Sequence, residues 1–256
     1  MIAAAQAGGS RYLFAANPDL SRDSELTLDL SGWDAVPGSR VTVRQVSDVH
    51  QGDISQVLTV GADRSVTVSQ DPGGVVLVRV PTNPVADRTT LAASEVSSVS
   101  QGRAATTFAG GDLRVGNSGG DALRREVAFL KFPLAGIDRD QPVSEAILDL
   151  SAWNPDGDTP VVTHVYGLTA GDWTADTLTW STAPNLRSPV GDVSLIDDNH
   201  VTGVGQTADI VGQFVAIGAE RRLAIDVSDW IQNRLSADAE SVSFMISRDI
   251  RFDGDI

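Results

Sequence analysis

Three histidines, His50, His164 and His200, are all the imidazole this sequence offers, and none stands in a Ser/His/Asp arrangement. There is no cysteine to serve as nucleophile, metal thiolate or disulfide partner. No GxSxG, HExxH, phosphate-loop or dinucleotide-binding pattern occurs. The 34 carboxylates always offer pairs, yet in so acidic a β-rich chain most aspartates serve as solvated turn residues. No catalytic constellation emerges. Oxygen ligands are better represented: "NPDGDTP" sets Asn154, Asp156 and Asp158 at alternate positions, the spacing of a tight calcium loop, without the later glutamate of an EF-hand. A structural calcium ion would suit it. The alternative is a turn whose Asp side chains bond their own backbone. "DDNH", ending at His200, is a weaker metal candidate.

The most informative chemistry comes from strand parity. In "REVAFLKFPL", Ala128, Leu130, Phe132 and Leu134 form a continuous apolar set and are expected to face a core. Arg125, Phe129 and Lys131, the only lysine of the chain, then share the opposite face. In "PVVTHVYGL" the same rule buries Val161, Thr163 and Val165 and turns His164 and Tyr166 outward. If both strands lie in one sheet, the result is an aromatic and basic face suited to a sugar: C–H surfaces pack on rings while hydroxyls take charged hydrogen bonds. The alternative is a face covered by a loop or neighbouring domain, with Phe129 in a minor core. "DWTADTLTWSTAP" adds two tryptophans: Trp180 alternates with Leu178 and reads as core, whereas Trp173 opens the segment beside Gly171 and Asp172 and reads as the ligand contact. Trp33, Trp153 and Trp230 end or cap strands and are expected to be buried.

The elements that must position these residues are strands. Helical periodicity is nearly absent, and short alternating runs between turn residues recur throughout, as in sandwiches and barrels. "RYLFAANP", "ELTLDLSGW", "RVTVRQVS", "SVTVSQ" and "GVVLVRVP" come first; "DLRVGN", "EVAFLKFPL", "EAILDLSAW", "PVVTHVYGL", "RLAIDVSDWI" and "VSFMISR" follow. One helix is expected at "SDWIQNRLSA", with Ser228 as cap and Ile231 and Leu235 spaced i, i+4. Pro81 to Thr90 has two prolines and no apolar pattern, the mark of a linker. The fold class is therefore all-β, with β-sandwich domains over 8–82 and 91–256, a linker at 83–90, and the second domain jelly-roll-like. "SELTLDLSGW" and "SEAILDLSAW" agree at seven of ten positions, but the echo ends there and reads as two amphipathic strands drawn from one small alphabet.

Charge narrows the partners. Acidic residues number 34 against 19 basic, for a net charge of −15, with Asp outnumbering Glu 28 to 6. Such a surface repels nucleic acid and anionic membranes and mildly disfavours a highly charged polymer. No run approaches the ~20 apolar residues of a membrane helix. Both chain ends look like cut edges, "SVSFMISRDIRFDGDI" starting a strand pattern without a closing one, so a truncated C-terminus and a longer parent protein are expected.

Several motifs carry a resemblance. Trp173, Asp176, "TLTW" and Pro184, together with "EVAFLKFPL", "SEAILDL" and "IDVSDWI" in that order, make residues 91–256 similar to the bacterial carbohydrate-binding modules labelled DNRLRE. The label sequence itself is absent, and Val127 stands where that family has an arginine, leaving Arg125 two residues earlier. The resemblance implies a jelly roll that binds polysaccharides such as alginate and is attached to a secreted polysaccharide-degrading enzyme. The run from "YLFAANP" to "GGVVLVRVP" resembles the β-sandwich that follows the catalytic barrel of agar-degrading glycoside hydrolases. The expectation is thus a non-catalytic, secreted, polysaccharide-binding fragment for an agarose, porphyran or alginate-type polymer, contacted by Arg125, Phe129, Lys131, His164, Tyr166 and Trp173. Its partners would be the polysaccharide and an attached catalytic domain. The alternatives are a purely structural or cell-surface module and a lyase with Tyr166 as acid/base beside His164 and an arginine.

Overall fold

Alternation decides the first unit. The computed structural model describes the chain apart from residues 1, 8–9, 34, 49, 82–88, 117–124, 142, 144, 156–159, 187–199, 217 and 249–256. Strands β1 (Ile2–Ala7), β2 (Ser10–Ala16), β3 (Ser24–Asp29), β4 (Arg40–Val46), β5 (Gln51–Thr59), β6 (Ser65–Gln70) and β7 (Val75–Pro81) come first. In β6 the valines Val66 and Val68 are buried and Thr67 and Ser69 exposed, the period of two that a half-buried strand requires. Val76, Val78 and Val80 of β7 repeat it at 0% exposure. β3 pairs with β6 in a two-stranded sheet, and their Leu28, Val66 and Val68 share one core with Leu13, Val41, Val43 and Val78 of the larger sheet. The result is a β-sandwich, and the all-β expectation holds.

The later strands are β8 (Glu95–Ser100), β9 (Phe108–Ala109), β10 (Glu126–Pro133), β11 (Ile147–Ala152), β12 (Val161–Leu168), β13 (Ala208–Ala216), β14 (Arg221–Asp226) and β15 (Ser241–Ser247); the one α-helix among the described residues, α1 (Ser228–Ser236), precedes β15. The described residues of "DLRVGN", expected as a strand, contribute only the isolated bridge Gly116–Glu126. The chain divides into two compact units, and neither is contiguous in sequence. The first joins Met1–Arg88 to Ser144–Pro160 and Phe214–Asp226; the second holds Thr89–Val143, Val161–Gln213 and Val227–Ile256. The boundary read from the linker thus misses two strands. β11 and β14 extend the first unit's sheet, whose order is β1-β2-β7-β4-β5-β14-β11. β14 meets β5 at Ala224–Ile54.

Charge reinforces that extension. Arg44 and Arg79, on neighbouring strands, reach Asp226 at 3.5 and 3.9 Å, and Arg79 also reaches Glu145 at 3.7 Å. Arg79, Glu145 and Asp226 are each at most 20% exposed, so solvent screens these contacts less than a surface pair.

The second unit is built on the sheet β13-β12-β15-β10-β8-β9. Both faces of its central strands are buried. Val127, Phe129, Tyr166 and Met245 occupy one face, and Ala128, Leu130, Val165, Phe244 and Ile246 alternate with them on the other. The helix lies where the sequence placed it, except that Val227 takes the cap position expected of Ser228, which begins the helix; it is ended by Asp238 at φ 55° and by Arg139, which donates to the Ala239 carbonyl at 2.8 Å. Its Trp230 is buried, and it sits so close to Gly167 of β12 that a Cβ there would lie 2.3 Å from the indole. Gly167→Ala is therefore expected to force the helix or strand to shift, lowering stability in urea unfolding by about 1–3 kcal/mol.

Candidate functional site

Parity correctly brought the expected residues together. Arg125 precedes β10, which carries Phe129 and Lys131; β12 carries His164 and Tyr166; and β15 lies between the two strands. Their exposure differs from the expectation. Arg125 is 7% exposed, Phe129 0%, Lys131 9% and Tyr166 1%, and only His164 remains half-buried. The cover is the chain's own segment from Trp173 onward. Trp173, Leu178, Trp180, Leu186 and Val201 join Phe129, Tyr166 and Met245 in one apolar cluster.

Local hydrogen bonds explain why this segment lies down. Thr174 accepts from the amide of Leu178 at 3.0 Å and Thr179 from that of Ala183 at 2.8 Å, making two successive helical turns. Glu95 accepts from the Ala175 amide at 2.8 Å. The Lys131 ammonium donates to the Trp173 carbonyl and lies 4.7 Å from the centre of the Trp173 ring. That indole meets Phe129 edge-on at 5.8 Å and donates to Ser243 Oγ at 3.1 Å. Trp173 is thus 6% exposed, a pillar like Trp180 at 1%. Trp180 lies 5.8 Å from the buried ring of His200, which bonds Ser247 at 2.7 Å. Tyr166 and His164 are neighbouring rings at 6.2 Å, but Tyr166 has no open surface from which to exchange a proton with a polymer. The alternative weighed from the sequence, a face covered by a loop, describes what is found.

The metal loop falls partly outside the described residues: Asn154 is described, Asp156 and Asp158 are not. Among the described residues no three His, Asp or Glu side chains converge as a metal site. Several aspartates behave as turn residues. Asp19, Asp29 and Asp63 hold carboxyls below their usual range because the serine two positions on donates to them, chiefly through the backbone at Asp19 and Asp29 and through the hydroxyl at Asp63.

Open aromatic surface lies elsewhere. Trp153, just past the end of β11, is 44% exposed, whereas Trp173, Trp180 and Trp230 are each at most 8% exposed and Trp33 is partly buried. It lines an open depression of about 490 Å³ with Asn154, Pro155, Gly218, Ala219 and Glu220. The Asn154 amide donates to the Gly218 carbonyl at 3.1 Å, fixing one wall to the other. Ser151 donates to Glu220 at 2.5 Å, and Arg222 holds Asp149 through both carboxylate oxygens, the Nε contact at 2.7 Å. This pairing keeps the Asp149 carboxyl below its usual range, the Arg222 hydrogen bond outweighing partial burial, and raises Arg222. The sequence carried the signal: Asp149, Ser151 and Trp153 alternate with Leu148, Leu150 and Ala152, so parity applied here puts the indole on the polar face.

Residues 87–201 match the family model described as Carbohydrate-binding module family 96. The match supports a carbohydrate-binding module, non-catalytic and with a polysaccharide as partner, over that part of the chain. No curated protein matches. Among solved structures, the Arthrobacter globiformis T6 isomalto-dextranase complexed with panose aligns with 93% of this chain and 32% of its own, about a third of its length, at 13% identity and a TM-score of 0.20. A score that low carries no inference about this chain.

Two outcomes test this geometry. Lys131→Met keeps the stem and removes the donor, leaving the Trp173 carbonyl unpaired; unfolding free energy should fall by about 1–3 kcal/mol, and amides of the Trp173–Leu186 stretch should exchange faster. Asp149 stabilises the fold as the carboxylate, because folding lowers its pKa. That contribution is present above the unfolded value and disappears as pH falls through the folded one. Asp149→Asn should therefore cost up to about 1 kcal/mol at neutral pH in urea unfolding, with the gap to wild type closing in acid.

Proposed function

We propose that this chain is a polysaccharide-binding piece of a secreted bacterial polysaccharide-degrading enzyme, holding an attached catalytic domain on its polymer. The single observation that carries the reading is the match of residues 87–201 to a carbohydrate-binding module family. The motif order around Trp173, "EVAFLKFPL", "SEAILDL" and "IDVSDWI", similar to modules of the DNRLRE type, supports it further. So does the first sandwich, whose "YLFAANP" to "GGVVLVRVP" run resembles accessory domains of agar-degrading enzymes. The polymer class proposed from these resemblances is an algal galactan or alginate. Tethering acts by raising local concentration, so modest affinity at each site suffices. A calcium ion on the Asn154, Asp156 and Asp158 loop belongs to the same reading, motivated by their alternate oxygen-ligand spacing.

Affinity electrophoresis of the chain through gels containing agarose, porphyran, alginate, ulvan or xylan tests the proposal. Retardation by at least one polymer is expected, and weaker retardation with a chelator is the outcome expected of the calcium loop. Free migration through all of them would overturn the reading in favour of a purely structural module.

A further inference from the structure

We propose that the strip formed by Asp149, Ser151 and Trp153 of the β11 segment with Glu220 and Arg222 of the β14 segment is a binding site for a neutral, hydroxyl-rich glycan chain. The inference rests on the polysaccharide-binding reading above and adds the place and the ligand class. Three features carry it. An indole exposed at 44% beside an open depression is a surface that water solvates poorly and that the C–H face of a sugar covers well. From the indole the strip runs along β11 through Ser151 to Asp149, three side chains on one face, spanning about 13 Å at ~3.3 Å per residue. β11 is also the last strand of its sheet in the order of strands, so no further strand pairs along its outer edge among the described residues.

The polar groups of the strip are held in place before any ligand arrives. Ser151 and Arg222 are register partners across the two strands. Ser151 is fixed on Glu220 and Arg222 on Asp149, and the Asn154–Gly218 backbone bond closes the far end. Each carboxylate oxygen accepts more than one hydrogen bond, so both acids can take sugar hydroxyls without giving up these partners. Preorganised acceptors lose little entropy on binding.

Charge selects the ligand. The strip offers Asp149 and Glu220 against the exposed guanidinium of Arg222, already committed to Asp149, with Arg40 the further cation that acts on Asp149, within a chain of net charge −15. A uronate or sulfate laid along it would meet like charge, whereas a neutral chain meets acceptors. Agarose is thus the expected binder, and alginate and porphyran are not.

The test compares wild type, Trp153→Ala, Trp153→Phe and Glu220→Gln in gels of agarose, xylan, alginate and porphyran, with melting temperatures measured alongside. Expected is retardation of wild type by agarose or xylan, about tenfold weaker apparent affinity for Trp153→Ala, partial recovery in Trp153→Phe, and melting lowered only slightly, because nearly half of the residue is exposed. Glu220→Gln should weaken retention without creating retention by alginate. Equal retardation of wild type and Trp153→Ala would overturn the site while leaving polysaccharide binding intact. Retardation by alginate or porphyran alone would overturn the neutral ligand class. Free migration of wild type in every gel would overturn this inference together with the reading beneath it.

Discussion

A single ammonium group organises the second unit. Lys131 is the only lysine in 256 residues, and it is buried, so its charge must be met by protein atoms in place of water. It donates to the Trp173 carbonyl and lies over the Trp173 ring, with Glu95 directly opposite in register on β8. Glu95 in turn takes the Ala175 amide. Two charged groups on adjacent strands therefore grip the start of one loop, and the loop brings two tryptophans onto the sheet. Everything apolar on that face, from Val99 to Met245, is sealed by this arrangement.

The central strands of this sheet are buried on both faces. Its rings and cations supply stability and shape and offer little surface to a polymer. Open side-chain surface lies instead at edges and strand ends, as at Trp153. The β11–β14 ribbon is such a place. It belongs to the first unit through the Ala224–Ile54 pairing and through Arg44 and Arg79, whose partly buried contacts with Glu145 and Asp226 anchor both inserted segments.

Much of the architecture was legible from alternation. β2, β4, β6, β7, β10, β12 and β15 carry valine- or aromatic-rich runs and lie where the pattern put them, as does α1. β8 ("EVSSVS"), β5 ("QGDISQVLT") and β13 ("ADIVGQFVA") are not legible as strands because serine, glutamine and glycine dilute their period. Of the proposed contact residues, the common face was legible, since parity depends only on the pleat. Burial was not, because covering a face requires a segment some 40 residues distant, here Trp173 over Lys131.

By itself, the sequence determined an all-β chain, the sidedness of the strands with a clear alternation, a helix at Ser228–Ser236 and an acidic surface, because these follow from local backbone geometry and from composition. Tertiary structure alone decided which tryptophan meets solvent. Trp173 and Trp153 both stand beside turn residues in the sequence; parity puts Trp153 on a polar face, but no local signal shows that Trp173 is covered. One is folded onto an apolar sheet face and held by a lysine and a serine, and the other projects past the end of a strand at the sheet's edge. Exposure is a property of what packs against a residue, and that is settled only when distant segments meet.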